Sequence, residues 1–233
     1  MNRTAANATA AKPIAVVTHV GRGDPGLVGT VGKQRGLEFE VYRTYDGQDL
    51  PDPNEIQAMV VLGGPQSAYD DHPYLATEER YLADAVDADL PVLAICLGSQ
   101  VLARALGGSA QPGTAGFEAG FIEVTGDDEL AGEYFSFHSD TFTPPPGSEI
   151  VARSALYPQA WRAGSALAVQ FHPEMTHRFV DRLMEIEGEK LAKLGVDARS
   201  IRREADRYFA VEQTDARRFL SGWFDCIAPA RDR

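Results

Sequence analysis

Cys96 is one of two cysteines in the chain, and it falls within "AICLGSQVLARALGG" (94–108), between an apolar run and a helical pattern. If "PVLAIC" is a strand and "GSQVLARALGG" a helix closed by Gly107 and Gly108, Cys96 occupies a tight strand-to-helix turn. Such a turn strains its central residue, lifts the side chain above the sheet edge and aims helix N–H groups at whatever binds there. That is a nucleophile elbow with sulfur in place of oxygen, and the helix N-terminus would favour the thiolate. Cysteine is also a common buried core residue, so this segment alone leaves both readings open.

A thiol nucleophile needs a base, and the base needs an acceptor that fixes its tautomer. "ALAVQFHPEM" supplies both: an apolar strand runs out at His172, Pro173 turns the chain away, and Glu174 follows two residues after the histidine. Ligand sites of open parallel sheets lie at such strand ends. "VVLGGP" places Gly63 and Gly64 at the end of another buried strand, where a glycine N–H, with the N–H of Leu97, can form an oxyanion hole. Taken singly, the histidine reads as structural and the glycines as a tight turn. Together with the elbow they favour Cys96 as a nucleophile.

The elements needed to position these groups are legible. "PIAVVTHV" (13–20), "FEVYRTY" (39–45), "AMVVLGGP" (58–65) and "PVLAIC" (91–96) read as strands, without the polar alternation of a half-exposed sheet. "GRGDPGLVGT" between the first two reads as a loop, and "LPDPNEIQ" as a turn with a short helix. "ATEERYLADAVDA" (76–88) spaces Tyr81, Leu82, Ala85 and Val86 as one helical face, with acids on the other. Strands alternating with helices imply a parallel sheet covered on both sides. From 117 to 172 the pattern shifts to short strands: "FIEVT", "YFSFH", "EIVARS", "QAWRA" and "ALAVQFH", with turns at Gly147 and at Gly164–Ser165. Beyond Thr176, "HRFVDRLMEIEGEKLAKLG" and "TDARRFLSGWFDCIA" are amphipathic, and Trp223 and Phe224 lie on an apolar stripe expected to pack on the sheet. The expectation is a leader over residues 1–12 without ordered structure and a single domain over 13–233, with no internal repeat.

Composition narrows the partners. Net charge is −12 over 233 residues, which repels phosphate backbones and anionic lipid surfaces, so neither nucleic acid nor membrane is expected as a partner. No apolar run approaches the roughly 20 residues of a spanning helix, and "MNRTAANATAAK" lacks a signal-peptide centre, so the expected location is cytoplasmic. Cys96 and Cys226 form no C-x-x-C pair, and no G-x-x-x-x-G-K-[ST] phosphate loop is present.

The elbow "ICLGSQVLA", the upstream "VVLGGP" and the downstream "QFHPE", in this order, resemble the class I glutamine amidotransferases, the Cys-His-Glu triad family, over most of residues 13–175. The overall layout with a helical tail is similar to the group labelled GMP-synthase-like, which includes γ-glutamyl peptidases. The resemblance implies a flavodoxin-like α/β fold: a mostly parallel sheet flanked by helices, with a smaller antiparallel section and a helical C-terminal tail. It further implies hydrolysis of a glutamine side-chain amide through a γ-glutamyl thioester, with no cofactor and no metal. Carried over by position, Cys96 is the nucleophile, His172 the general base and then acid, and Glu174 the orienting carboxylate. Gly64 and Leu97 take the oxyanion role, with Gly63 beside them. Gln100 stands where the family has a substrate-contacting glutamine, and Glu118 in "FEAGF" and His138 and Asp140 in "FSFHSDTF" match segments that line the substrate cleft. The bare sequence also allows these last residues to form a surface turn capped by Asp140. Ala94 stands where many members have glycine, and Ser99 where many have histidine, a difference expected to alter the pocket wall.

Three functions compete. The first is cleavage of glutamine or a related γ-glutamyl small molecule, with ammonia delivered to a separately encoded synthetase subunit. In a variant of it, a γ-glutamyl peptidase or hydrolase acts without such a partner. The second is a thiol-sensing or non-catalytic module on the same fold, which has no need of His172 and Glu174. The third is a zinc site from Cys96, His138 and His172, which would leave the oxyanion glycines without a purpose.

Overall fold

A computed structural model describes residues 12–21 and 24–227. Most of the expected leader therefore lies outside the described residues. Alternation at period two explains the central sheet: in β1 (Ile14–Val17) Ile14 and Val16 face one layer while Ala15 and Val17 face the other, all four buried. The strands β2 (Phe39–Tyr42), β3 (Ala58–Val61), β4 (Val92–Ile95) and β11 (Ala166–Val169) join β1 in the order β2-β1-β3-β4-β11, every pair parallel. This is the flavodoxin-like order, in which ligands sit outside the carboxyl ends of the strands.

The antiparallel section continues the same sheet through β10 (Pro158–Ala163), β9 (Glu149–Arg153), β6 (Glu118–Gly126) and β7 (Gly132–His138). A separate pair joins β5 (Ser109–Pro112) to β8 (Asp140–Thr143). One face of the parallel half is covered by α1 (Gly26–Lys33) and α7 (Asp215–Ile227), the other by α2 (Pro73–Asp87) and α3 (Leu97–Ala105). The tail packs on the sheet as its apolar stripe implies: Phe219, Leu220, Trp223 and Phe224 of α7 are buried against Ile14, Val60 and Ile95. A third cluster seats α4 (His177–Ile186), α5 (Gly188–Lys193) and α6 (Ala198–Tyr208) around Phe135 of β7.

Four sequence expectations change. The segment read as a loop contains α1: Leu27, Val28 and Val31 form a buried face, while Gly29 and Gly32, poor helix formers, obscure the pattern. Gly26 opens that helix at φ +57°, and a methyl group there would lie 2.1 Å from the Glu174 carbonyl oxygen. Only glycine lets α1 approach this closely, and Leu27 N–H donates to the same carbonyl at 2.8 Å. The strand read over 39–45 stops at Tyr42, and Thr44–Asp46 forms a 3-10 turn. The long amphipathic run after Thr176 divides into α4 and α5 at Glu187–Gly188. In α2, Glu78 is not on the solvated face but buried at 1 % exposure beside Leu75 and Leu82.

Candidate active site

Cys96 links β4 directly to α3. Its φ of 52° and ψ of −110° are rare for a residue with a side chain, a strain of about 1–3 kcal/mol that persists only where the surroundings impose it. Here Cys96 N–H donates to Val169 of β11 at 2.8 Å, while the Cys96 carbonyl accepts from Gln100 N–H at 3.2 Å and from the Ser99 hydroxyl at 2.7 Å. Ser99 is fully buried, so it braces the elbow instead of reaching the pocket wall as expected. Gly98 permits the tight packing of α3 on β3, because a methyl group there would stand 2.4 Å from the Val61 carbonyl oxygen.

His172 lies three residues beyond β11, its backbone N–H donating to Phe135 O of β7 at 2.8 Å. Its Nδ1 is 2.7 Å from Glu174 Oε1, and both side chains are nearly buried. The second oxygen of Glu174, Oε2, is buried with no hydrogen-bond partner among the described residues, which leaves His172 as the group answering that charge. Burial disfavours the charged imidazole, but the Glu174 carboxylate and the Cys96 sulfur, acting through charge and hydrogen bonding, outweigh it and hold His172 well above the usual histidine range.

Gly63 lies against these groups, and Gly64 follows it. A methyl group at Gly63 would stand 3.0 Å from His172 Cε1 and 3.4 Å from Cys96 Cβ. One at Gly64 would meet His19 Cβ and Gln66 Oε1 at 2.6 Å and Leu97 Cδ2 at 2.8 Å. Only a residue without a side chain fits at Gly63 without pressing on His172 and Cys96.

The remaining expected residues form a second polar cluster joined to the elbow through Gln100. Glu118 and His138 are opposite each other in the β6–β7 register, with Glu118 Oε2 3.0 Å from His138 Nε2. Glu118 also accepts from Ser136, Ser154 and Gln159. Burial alone would raise its pKa, but the His138, Ser154 and Ser136 donors overcome that and hold it below the usual carboxylate range. His138 Nδ1 donates to the Asp140 carbonyl at 2.8 Å, and Gln100 Nε2 donates to that carbonyl at 3.3 Å and to Gln170 Oε1 at 3.2 Å. The Asp140 side chain accepts from Ser67 at 2.6 Å, so Asp140 ties two loops together and is not a surface cap. Both His138 nitrogens are occupied, and among the described residues no group of three His, Cys, Asp or Glu side chains is placed to hold a metal ion. Cys96, His138 and His172 do not form such a group. Cys96 and Cys226 are both free thiols.

Sequence reasoning missed His19 and Glu78, a buried pair behind the glycine loop with Nε2 to Oε2 at 2.9 Å. A signal existed: "AVVTH" carries an apolar run into a histidine, as "AVQFH" does.

Comparison with known proteins agrees with this layout. The chain matches the family described as Glutamine amidotransferase class-I over residues 28–186. It is 32% identical over 160 residues to a GMP synthase [glutamine-hydrolyzing] of Pyrobaculum aerophilum, covering 65% of this chain and 31% of that protein. A Thermus thermophilus protein of the same description is 36% identical over 152 residues, covering 58% and 29%. The match thus spans about a third of the length of these curated relatives. Among solved structures, a glutamine amidotransferase from Thermotoga maritima superposes with a TM-score of 0.84 at 28% identity, covering 94% of this chain and 98% of that one. A glutamine amido transferase from Methylobacillus flagellatus gives 0.85 at 26%, covering 96% and 98%.

Proposed function

The chain belongs to the class-I glutamine amidotransferase family, whose homologues are enzymes, and from that premise we propose that it hydrolyses the γ-amide of glutamine or a related γ-glutamyl compound. The observation that carries the proposal is the conjunction at Cys96: a strained elbow cysteine beside a histidine that Glu174 holds at 2.7 Å.

In the proposed reaction the Cys96 thiolate attacks the amide carbon, a C–S bond forms, and the carbonyl electron pair moves onto oxygen. The N–H groups of Gly64 and Leu97, with Gly63 beside them, receive that oxyanion. As it collapses, the C–N bond breaks and His172 delivers its proton to the departing ammonia, leaving a γ-glutamyl thioester. Water then gives a proton to His172 and attacks the thioester. The C–S bond breaks, and glutamate and the thiolate–imidazolium pair are restored. Glu174 accepts from Nδ1 throughout, which directs Nε2 to the reacting atoms. Gln100, Glu118, His138 and Asp140 shape the cleft that receives the glutamyl part of the substrate, chiefly by fixing one another.

A variant reading is a γ-glutamyl hydrolase or peptidase that needs no synthetase. Ammonia release from glutamine and from γ-glutamyl peptides, assayed on the purified chain alone, separates the two. Strong unassisted turnover favours the variant; turnover only on addition of a synthetase favours ammonia delivery. A Cys96→Ser protein that retained the wild-type rate would refute both and leave the non-catalytic alternative.

A further inference from the structure

Behind the glycine loop, Thr18 and His19 continue from β1 and stay buried, at 1 % and 2 % exposure. His19 Nδ1 is 3.0 Å from the carbonyl oxygen of Leu62, the residue immediately before Gly63. Nε2 is 2.9 Å from Glu78 Oε2, and the other oxygen of this buried carboxylate accepts from the Thr44 hydroxyl. A carbonyl oxygen only accepts, so Nδ1 carries a hydrogen, and a proton also lies between Nε2 and the carboxylate. The imidazole therefore cannot turn without breaking two buried hydrogen bonds.

The consequence falls on the loop. In a trans peptide the C=O and N–H point in opposite directions, so anchoring the Leu62 carbonyl on His19 turns the Gly63 N–H away from His19. His19 also limits Gly64, whose missing methyl would meet His19 Cβ at 2.6 Å, while the space at Gly63 borders Cys96 and His172. The loop is thus gripped by His19 on one side and faces the reacting groups on the other. Two consecutive glycines have the least intrinsic backbone preference of any pair, and a site of this kind needs placement to within about 0.5 Å. A buried polar pair of this kind is a poor way to gain stability alone, since well-packed apolar side chains do as well or better.

We propose that His19, held by Glu78 and Thr44, is a positioning residue that sets the Leu62–Gly64 backbone so that the N–H groups of Gly63 and Gly64 meet the oxyanion formed at Cys96. The proposal rests on the hydrolytic reading above.

The test compares His19→Ala, His19→Asn and Glu78→Gln in the full chain by kcat and KM for glutamine, by iodoacetamide alkylation of Cys96, and by unfolding midpoint. Alkylation needs the thiolate but no oxyanion donor. Outright loss of an oxyanion donor costs about 100- to 1000-fold in kcat, so a displaced loop in His19→Ala should cost about 10- to 100-fold. KM should stay within about threefold, because the interaction is made in the transition state, and alkylation should be unchanged. His19→Asn should recover part of kcat, since its amide can donate to the Leu62 carbonyl. Glu78→Gln, nearly isosteric, should lower kcat in the same sense and decides the matter if His19→Ala does not fold. The proposal is overturned if kcat is unaffected, if kcat, alkylation and midpoint fall together, or if Asn does no better than Ala. An unmodified chain whose Cys96 alkylates but which cleaves no γ-glutamyl amide would sink the hydrolytic reading first, and this inference with it.

Discussion

At the scale of the residue, Cys96 shows what the elbow demands. Its backbone lies in a region that glycine tolerates and residues with a Cβ do not, so the ordinary ranking of small residues should invert there. Cys96→Gly is expected to be more stable than Cys96→Ala by about 1 kcal/mol in urea denaturation, both being inactive. Equal stabilities, or Ala above Gly, would deny the strain. The histidine gives a second prediction. A carboxylate beside an imidazole favours its charged form, so Glu174→Gln removes a cause that raises the His172 pKa. Because in the proposed reaction the imidazolium protonates departing ammonia, the alkaline limb of the kcat profile should move to lower pH, and kcat should fall on the order of a hundredfold or more. A limb that stays in place would separate Glu174 from His172. Cys96, His172 and Glu174 were legible in the sequence because their chemistry is complementary and their strand ends are apolar. His19 carried the local sign of a histidine after a buried run, but its partners, Leu62 and Glu78, are 43 and 59 residues away, and nothing local marks them.

At the scale of the element, the strands that carry the site were readable as uninterrupted apolar runs, and α3 as the helix that follows. What escaped was packing at close range. The glycines of α1 looked like loop chemistry, yet α1 meets the Glu174 carbonyl through Gly26 and Leu27. Glu78 looked solvated because its helix is rich in acids; only the fold shows it turned inward. Gly98 gives the test at this scale. An added methyl group would press on main chain at 2.4 Å, which cannot yield as a side-chain tip can, so α3 must shift away from β3. Gly98→Ala should therefore destabilise by about 1–3 kcal/mol and lower the alkylation rate of Cys96, whose helix has moved. A variant as stable and as reactive as the original would show that the approach is not needed.

At the scale of the whole molecule, the order β2-β1-β3-β4-β11 brings the ends of β1, β3, β4 and β11 together, so that His19, Gly63, Cys96 and His172 meet although 153 residues of sequence separate the first from the last (172 − 19). The parallel half could be foreseen from alternation of strands and helices. The way the antiparallel strands extend the same sheet, and place Glu118 against His138, depends on register that short polar strands do not announce. The α4–α6 cluster completes the molecule by packing on Phe135, whose backbone carbonyl holds His172. The central claim is that all of this serves a thioester on Cys96. The direct measurement is mass spectrometry of the protein quenched in acid during turnover of glutamine, followed by peptide mapping. The account predicts a mass increase of one γ-glutamyl group on the peptide containing Cys96, absent in Cys96→Ala. Ammonia release with no such adduct, and undiminished in Cys96→Ala, would contradict it.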